Sequence, residues 1–282
     1  MQFEDVIGAY LSAKPRLTKA SRETYSLKNL LPFFGGFDVK ELKRAKVRAY
    51  IANRLGHGVK LSTVRRELRL FSAAINFVRD EYEINLPNPV ARLGLPSEEP
   101  RVRWITREEA RRLLEASRSP QRPHLEVFIR LALSTGCRKS ELLKLEWERV
   151  DLNRRCFLLE ARHTKAKKRR TVPLNDSALG AFRKMRCWQD DYAPQTPFVF
   201  GWERGRIASL KTSWTNALRR AGIENFRIHD LRHTFASWLV MQGVSLYVVK
   251  ELLGHSSITQ TEIYAHLAPD AHCEAVQKIL LF

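Results

Sequence analysis

Four prolines in the stretch NLPNPVARLGLPSEEPRVR, residues 85–103, interrupt a chain otherwise patterned for helices. Proline removes a backbone donor and clashes with the preceding turn, so no regular helix crosses this stretch. At 282 residues the chain also exceeds what one core commonly holds. The break therefore divides it into a domain at 1–95, a linker at 96–103 and a domain at 104–282.

Upstream of the break, FEDVIGAYLSAK, SRETYSLKNLLPFF, KRAKVRAYIANRL and STVRRELRLFSAAINFVRDEY carry helical spacing. The last places Leu68, Phe71, Ile75 and Val78 on one face and Arg65, Arg66, Arg69 and Arg79 on another, with Ser62 or Thr63 as its expected cap. Downstream, TREEARRLLEAS opens with Thr106 and Glu109 at the spacing of a capping box. HLEVFIRLALSTGCRKSELLKLEW reads as two helical segments broken at Thr135 and Gly136. RCFLLEARHT and RTVPL are strand-like runs flanking KAKKRR. Helical spacing returns in SALGAFRKMRCW, SWTNALRRAG, IHDLRHTFASWLVMQG and SLYVVKELLGH. The expected fold class is mainly α with a small β-sheet (α+β).

A formal charge of +19 calls for a phosphate-rich partner. Residues 1–100 hold 17 Lys and Arg against 11 Asp and Glu, and the remainder 32 against 19, so neither half is a counterweight to the other. There is no apolar run of 18 residues, and MQFEDVIGAY has neither the basic nor the apolar region of a leader, so no membrane attachment is expected. Cys137, Cys156, Cys187 and Cys273 are far apart without a CxxC, which excludes a readable zinc knuckle or disulfide framework and fits a reducing cytoplasm.

Phosphate chemistry needs forked, permanently charged donors. TGCRKSEL places Arg138 just after a glycine break, at the expected start of a helix whose free N–H groups also favour an anion. In HDLRHT, His229 and Arg232 share a helix face. Either arginine alone reads as a surface charge, but their coincidence favours a phosphate site. His229 and His233 also have the spacing of two metal ligands. HDLRHT lacks the glutamate of HExxH, and an adjacent arginine opposes a dication, so no metal is expected. ARHTKAKKRR reads either as a basic hairpin tip against nucleic acid or as a solvated loop. LGHSSITQTEIYAH sets Tyr264 among two histidines and several hydroxyls, an odd mixture for an amphipathic helix.

These segments resemble the tyrosine recombinase, or phage integrase, family of DNA strand-exchange enzymes. LSTGCRKSELLKLEW, TKAKKRRTVPL, HDLRHTFASWLVMQG and LGHSSITQTEIYAHL look like its four catalytic blocks in order. LPFFGG, STVRRELRLFSAAINF and NPV resemble its helical core-binding domain, so two domains forming a clamp on DNA are implied. The resemblance makes Tyr264 the nucleophile, Arg138 and Arg232 the phosphate clamp, Lys165 the general acid, His229 and His255 further pocket residues, and Glu141 the carboxylate that orients its neighbours. Lys167, Lys168, Arg169 and Arg170, with Arg65, Arg66 and Arg69, become DNA-binding candidates. Gly254 is expected to end one helix, and Thr259 with Glu262 to cap the next, placing Tyr264 near the beginning of a short helix.

The implied reaction is two transesterifications through a 3′-phosphotyrosine, with no cofactor. Guanidinium, imidazole and ammonium groups supply the charge that a two-metal nuclease draws from its ions. The implied partners are double-stranded DNA, a tetramer of this chain on two DNA sites and accessory DNA-bending proteins, with the apolar tail Ile279–Phe282 either folding on its own core or docking on a neighbouring protomer. A cytoplasmic location, nucleoid-associated on DNA, follows. Two alternatives remain open: a type IB topoisomerase that relaxes supercoils, and a non-catalytic DNA-binding regulator.

Overall fold

The computed structural model describes residues 1–13, 22–96, 101–160, 169–202 and 205–269. The chain divides into two compact units, residues 1–99 and 100–282.

The first unit is helical: α1 Phe3–Ser12, α2 Arg22–Phe34, α3 Arg44–Gly56 and α4 Leu61–Glu81. α4 packs against the other three. Its residues Leu68, Phe71, Ile75 and Val78 are all buried, as the spacing requires, each contributing about 2 kcal/mol of transfer free energy. Phe3 meets the Phe71 ring edge-on at 4.9 Å, tying α1 to α4. The start of α4 differs from expectation. Lys60 occupies the cap position without a side-chain hydrogen bond, and Ser62 and Thr63 lie inside the first turn.

The second unit opens with α5 Arg107–Ser117, whose capping box forms in both directions: Glu109 N–H to Thr106 Oγ1 and Thr106 N–H to Glu109 Oε2. α6 His124–Thr135 and α7 Lys139–Leu143 follow, then an antiparallel sheet of β1 Val150–Asp151, β2 Cys156–Leu159 and β3 Arg170–Pro173. Phe157 pairs with Val172 and Leu159 with Arg170, so the two strands bracket the basic stretch in sequence. Then come α8 Asp176–Tyr192, the short hairpin β4 Gly201–Trp202 and β5 Gly205–Arg206, α9 Lys211–Ala221, α10 Asp230–Met241, α11 Leu246–Leu253 and α12 Thr259–Glu262. α6 contacts α8 on one side and α10 on the other, which places the α6 C-terminus beside α10. Trp238 Nε1 donates to the Ile105 carbonyl and the Ile105 N–H to Thr234 Oγ1, anchoring α10 to the start of the unit. No helix among the described residues is long and apolar enough to cross a membrane.

Candidate active site

α6 ends at Gly136, whose φ of +62° lies in the left-handed region that disfavours a side chain. A Cβ there would fall 2.3 Å from the Phe235 ring and 2.8 Å from Leu253. Glycine therefore lets α10 and α11 close on this turn. That approach brings the Gly136 carbonyl within 2.8 Å of Arg232 Nη1, which donates to it from 96 positions along the chain.

The turn leads into Arg138, the residue before α7. Its backbone N–H donates to Glu141 Oε2 at 2.9 Å and its Nη1 to Glu141 Oε1 at 2.8 Å. Arg170 Nη2 adds a third bond to Oε2, at 2.8 Å. Of the N–H groups at this helix start, that of Arg138 is taken by Glu141, and α7 itself is only five residues long. Burial pushes the Glu141 carboxyl up, but Arg170 and then Arg138 outweigh it and hold the group below its ordinary value.

Arg232 is 3% exposed. Burial, followed by the Arg138 charge, brings its pKa down to about 10, so it stays cationic at neutral pH. Its Nη2 is buried and lacks a hydrogen-bond partner among the described residues. A buried cation with an idle donor is costly until an anion completes it. The space beside it is a cavity of about 420 Å³ lined by Arg138, His229, Arg232 and His255, with Gly254, Ser256 and Gln260 completing the wall.

Gly254 ends α11 in the left-handed region, as expected. His255 follows, its Nδ1 2.8 Å from Thr261 Oγ1. Burial, then Arg232, Arg138 and Arg170, brings its pKa down to about 4, leaving a neutral imidazole in the cavity at neutral pH.

The capping box expected of Thr259 and Glu262 does not form. Ile258 precedes α12, the Ser257 hydroxyl accepts from the Thr259 N–H, and Tyr264 lies beyond the helix at the head of a 3-10 turn, Ala265–Leu267. Tyr264 is 1% exposed and packs in a cluster with Ala236, Val240, Val249 and Leu253. Its hydroxyl is 2.6 Å from His233 Nδ1. Burial lifts the phenol to about 12, against a smaller opposing pull from Arg232. Burial, then the neighbouring His229, draws His233 down to about 4. The His233 and His229 rings meet edge to face at 5.3 Å. Tyr264, His233, His229 and the cavity are thus consecutive neighbours.

The structure brings four of the expected residues, Arg138, His229, Arg232 and His255, onto one cavity, with Glu141 behind them and Tyr264 adjoining. Lys165, Lys167 and Lys168 lie outside the described residues, as does the tail from 270 to 282. Arg169 is exposed, and so are Arg66 and Arg69 on α4. Arg65 is partly committed to the Leu95 carbonyl, 2.8 Å from its Nη2. Arg170 does not fit the DNA-contact expectation, because its guanidinium turns inward onto Glu141 and the Leu252 carbonyl. His233 is the contact that sequence reasoning missed. Its one signal was the four-residue spacing from His229, which reads equally well as a metal pair.

A sequence profile described as the phage integrase family matches residues 103–271. The integrase of Salmonella phage P22 is 33% identical over 227 residues, covering 78% of this chain and 57% of that protein. The integrase of Haemophilus phage HP1 (strain HP1c1) is 32% identical over 288 residues, covering 97% and 77%. The chain thus spans little more than half of the phage P22 protein. The structure of the Tn1549 transposon integrase (aa 82-397), in complex with circular intermediate DNA, superposes with a TM-score of 0.81 at 17% identity, covering 99% of this chain and 100% of that one.

Proposed function

The chain belongs to the phage integrase family, and from that premise we propose that it is a site-specific DNA recombinase cutting and rejoining strands through a 3′-phosphotyrosine. The observation that carries this reading is the cavity beside Arg232, where a buried guanidinium keeps an unsatisfied donor next to Arg138 and two histidines, with a tyrosine hydroxyl adjoining. A phosphodiester supplies the anion this arrangement lacks.

In the proposed reaction, Arg138 and Arg232 hold the non-bridging oxygens and stabilise the charge that grows there in the transition state. The Tyr264 oxygen attacks phosphorus, the bond to the 5′-oxygen breaks, and a 5′-hydroxyl is released with a proton from Lys165. The phenol gives up its own proton, for which His233 is the nearest acceptor. A 5′-hydroxyl from a partner strand then attacks the phosphotyrosine and returns Tyr264 to its phenol form. Because the ring is buried beside His233, attack requires Tyr264 to leave that contact. The four-residue α12 and the 3-10 turn are the short elements that would carry it.

The partner in this reading is double-stranded DNA, gripped by the basic faces of the domains at 1–95 and 104–282. Four copies on two duplexes carry out exchange, with accessory DNA-bending proteins setting direction.

The test uses a randomised duplex library. DNA retained on the denatured protein is sequenced, and the enriched duplex then becomes the substrate. Tyr264→Phe should bind that duplex normally and retain none of it covalently. Protein-linked DNA at parental yield in this variant would remove Tyr264 as the nucleophile. Two marked copies of the duplex separate the alternatives, with exchanged flanks for a recombinase, relaxed circles for a topoisomerase and only a gel shift for a regulator.

A further inference from the structure

Arg170 begins β3, directly after the basic stretch in sequence, yet its side chain is only 14% exposed. Its Nη2 donates to Glu141 Oε2 at 2.8 Å and lies 3.6 Å from Cys137 Sγ, in the turn between α6 and α7. Its Nη1 donates to the Leu252 carbonyl in the last turn of α11, one of the carbonyls a helix end leaves without an intrahelical donor. Its stem lies against Gly254, where an added Cβ would come within 2.9 Å of Nε and 3.0 Å of Cδ. One guanidinium therefore touches α7, the α6–α7 turn and the end of α11, and it does so from β3.

From these contacts we infer that Arg170 is a positioning residue for the phosphate cavity, holding Glu141, and through it Arg138, in register with the Gly254–His255 turn. The geometry allows each link to be followed. Glu141 Oε2 is shared between the Arg138 backbone N–H and Arg170, so losing Arg170 frees the carboxylate to rotate and to take the Arg138 guanidinium with it. Leu252 is three residues before His255, so the bond to its carbonyl sets where that imidazole projects. Among the described residues Arg170 does not line the cavity itself. Its charge acts through the wall, adding to burial and to the fields of Arg232 and Arg138 that keep His255 neutral.

This inference rests on the strand-transfer reading, and its test separates the two. The substrate is the duplex recovered by covalent trapping, nicked so that cleavage cannot reverse. Arg170→Gln should cut about 100-fold more slowly at saturating DNA, the loss typical of a reacting group displaced by about 1 Å. Its affinity for the duplex and the salt dependence of binding should match the parent. Arg170→Lys, which keeps a charge for Glu141 but cannot span to Leu252 at the same time, should fall about tenfold below the parent. Arg170→Gln combined with Glu141→Gln should be slower than Glu141→Gln alone by no more than the roughly tenfold that the Leu252 bond carries, because the rest of its effect acts through Glu141.

Parental cleavage rates in both Arg170 variants would overturn the proposal, as would fully multiplying losses in the double variant. A salt slope lower by about 0.9 would overturn it in favour of a direct phosphate contact. If Arg170→Gln does not fold, Arg170→Lys decides alone. A parent protein that traps no DNA through Tyr264 fails the strand-transfer reading itself, and this proposal falls with it.

Discussion

Each unit of the molecule buries a glutamate among cationic side chains, and the two clusters are balanced differently. In the first unit Glu67 accepts from the Tyr50 hydroxyl at 2.7 Å, from Arg54 Nε and Nη2 at 3.1 and 2.8 Å, and from Asn29 at 3.2 Å. One anion meets one cation there, and both carboxylate oxygens are filled. In the second unit Glu141 faces Arg138 and Arg170, with Arg232 close enough to feel all three. Three guanidiniums surround one carboxylate that bonds two of them, Arg170 Nε and Arg232 Nη2 have no partner among the described residues, and a cavity opens beside Arg232. A charge cluster that closes on itself serves the fold. One left with surplus cationic donors around a cavity has the charge and the space to take an anion.

The sharpest way to break this contrast is to remove an arginine from each cluster. Arg232→Met should lower the first-turnover cleavage rate by about 1,000-fold, the upper range for losing a donor to transition-state oxygens. It should change unfolding free energy by less than about 1 kcal/mol, because the buried charge it removes was itself costly. Arg54→Met should do the reverse, costing about 3 kcal/mol by leaving Glu67 buried without its cation while sparing the cleavage rate of the folded fraction. Denaturant unfolding and single-turnover cleavage on the trapped duplex measure both quantities. If the two variants lose stability equally, the distinction between closed and open clusters fails.

Acid should distinguish the units next. His124, His233 and His255 all belong to the second unit, and burial is the first cause holding each below its ordinary value. A histidine with a depressed folded pKa adds stability that is fully present above its unfolded value near 6.5 and is lost as pH falls through the folded value. For His233 and His255 that folded value is about 4, so stability should decline between pH 6.5 and 4. Urea midpoints across this window should fall in the parent, and His233→Gln or His255→Gln should flatten the curve. A parent protein whose midpoint stays level from pH 7 to 4.5 would contradict the buried neutral imidazoles.

The smallest expected effect is at the exposed arginines of α4 in the first unit. Arg66→Ala and Arg69→Ala should each reduce the log–log salt slope of duplex binding by about 0.9, one phosphate contact apiece. Arg54→Gln, from the closed cluster on α3, should leave the slope unchanged. Equal slopes in all three variants would remove the α4 arginines from the interface.

Much of this was legible in the chain itself, and the reason is locality. Periodic apolar spacing identified the core face of α4, and the Thr106 and Glu109 pair marked the start of α5. Gly136 and Gly254 ended α6 and α11 where a break and a helix end were expected. Each signal depends on residues within one or two turns of one another, so backbone geometry and burial suffice to decode it. The expected capping box at Thr259 shows the limit of such rules. Ser257 offers a competing hydroxyl two residues earlier, the helix shrinks to one turn, and Tyr264 falls outside it.

The sequence by itself determined the helical segments, the small sheet and four of the residues around the cavity. Only the tertiary structure decided which side chains those residues meet. Arg170 reads as one more charge in a basic run, and it turns inward because Glu141, 29 positions earlier, is buried at the end of its reach. His233 is a spare histidine until α10 packs against the 3-10 turn and brings Tyr264, 31 positions later, to its ring. Bonds that close loops of this length are made when helices pack and glycines let them approach. Local pattern records which face of a helix is buried, while the identity of the partner on the other side is set by that packing.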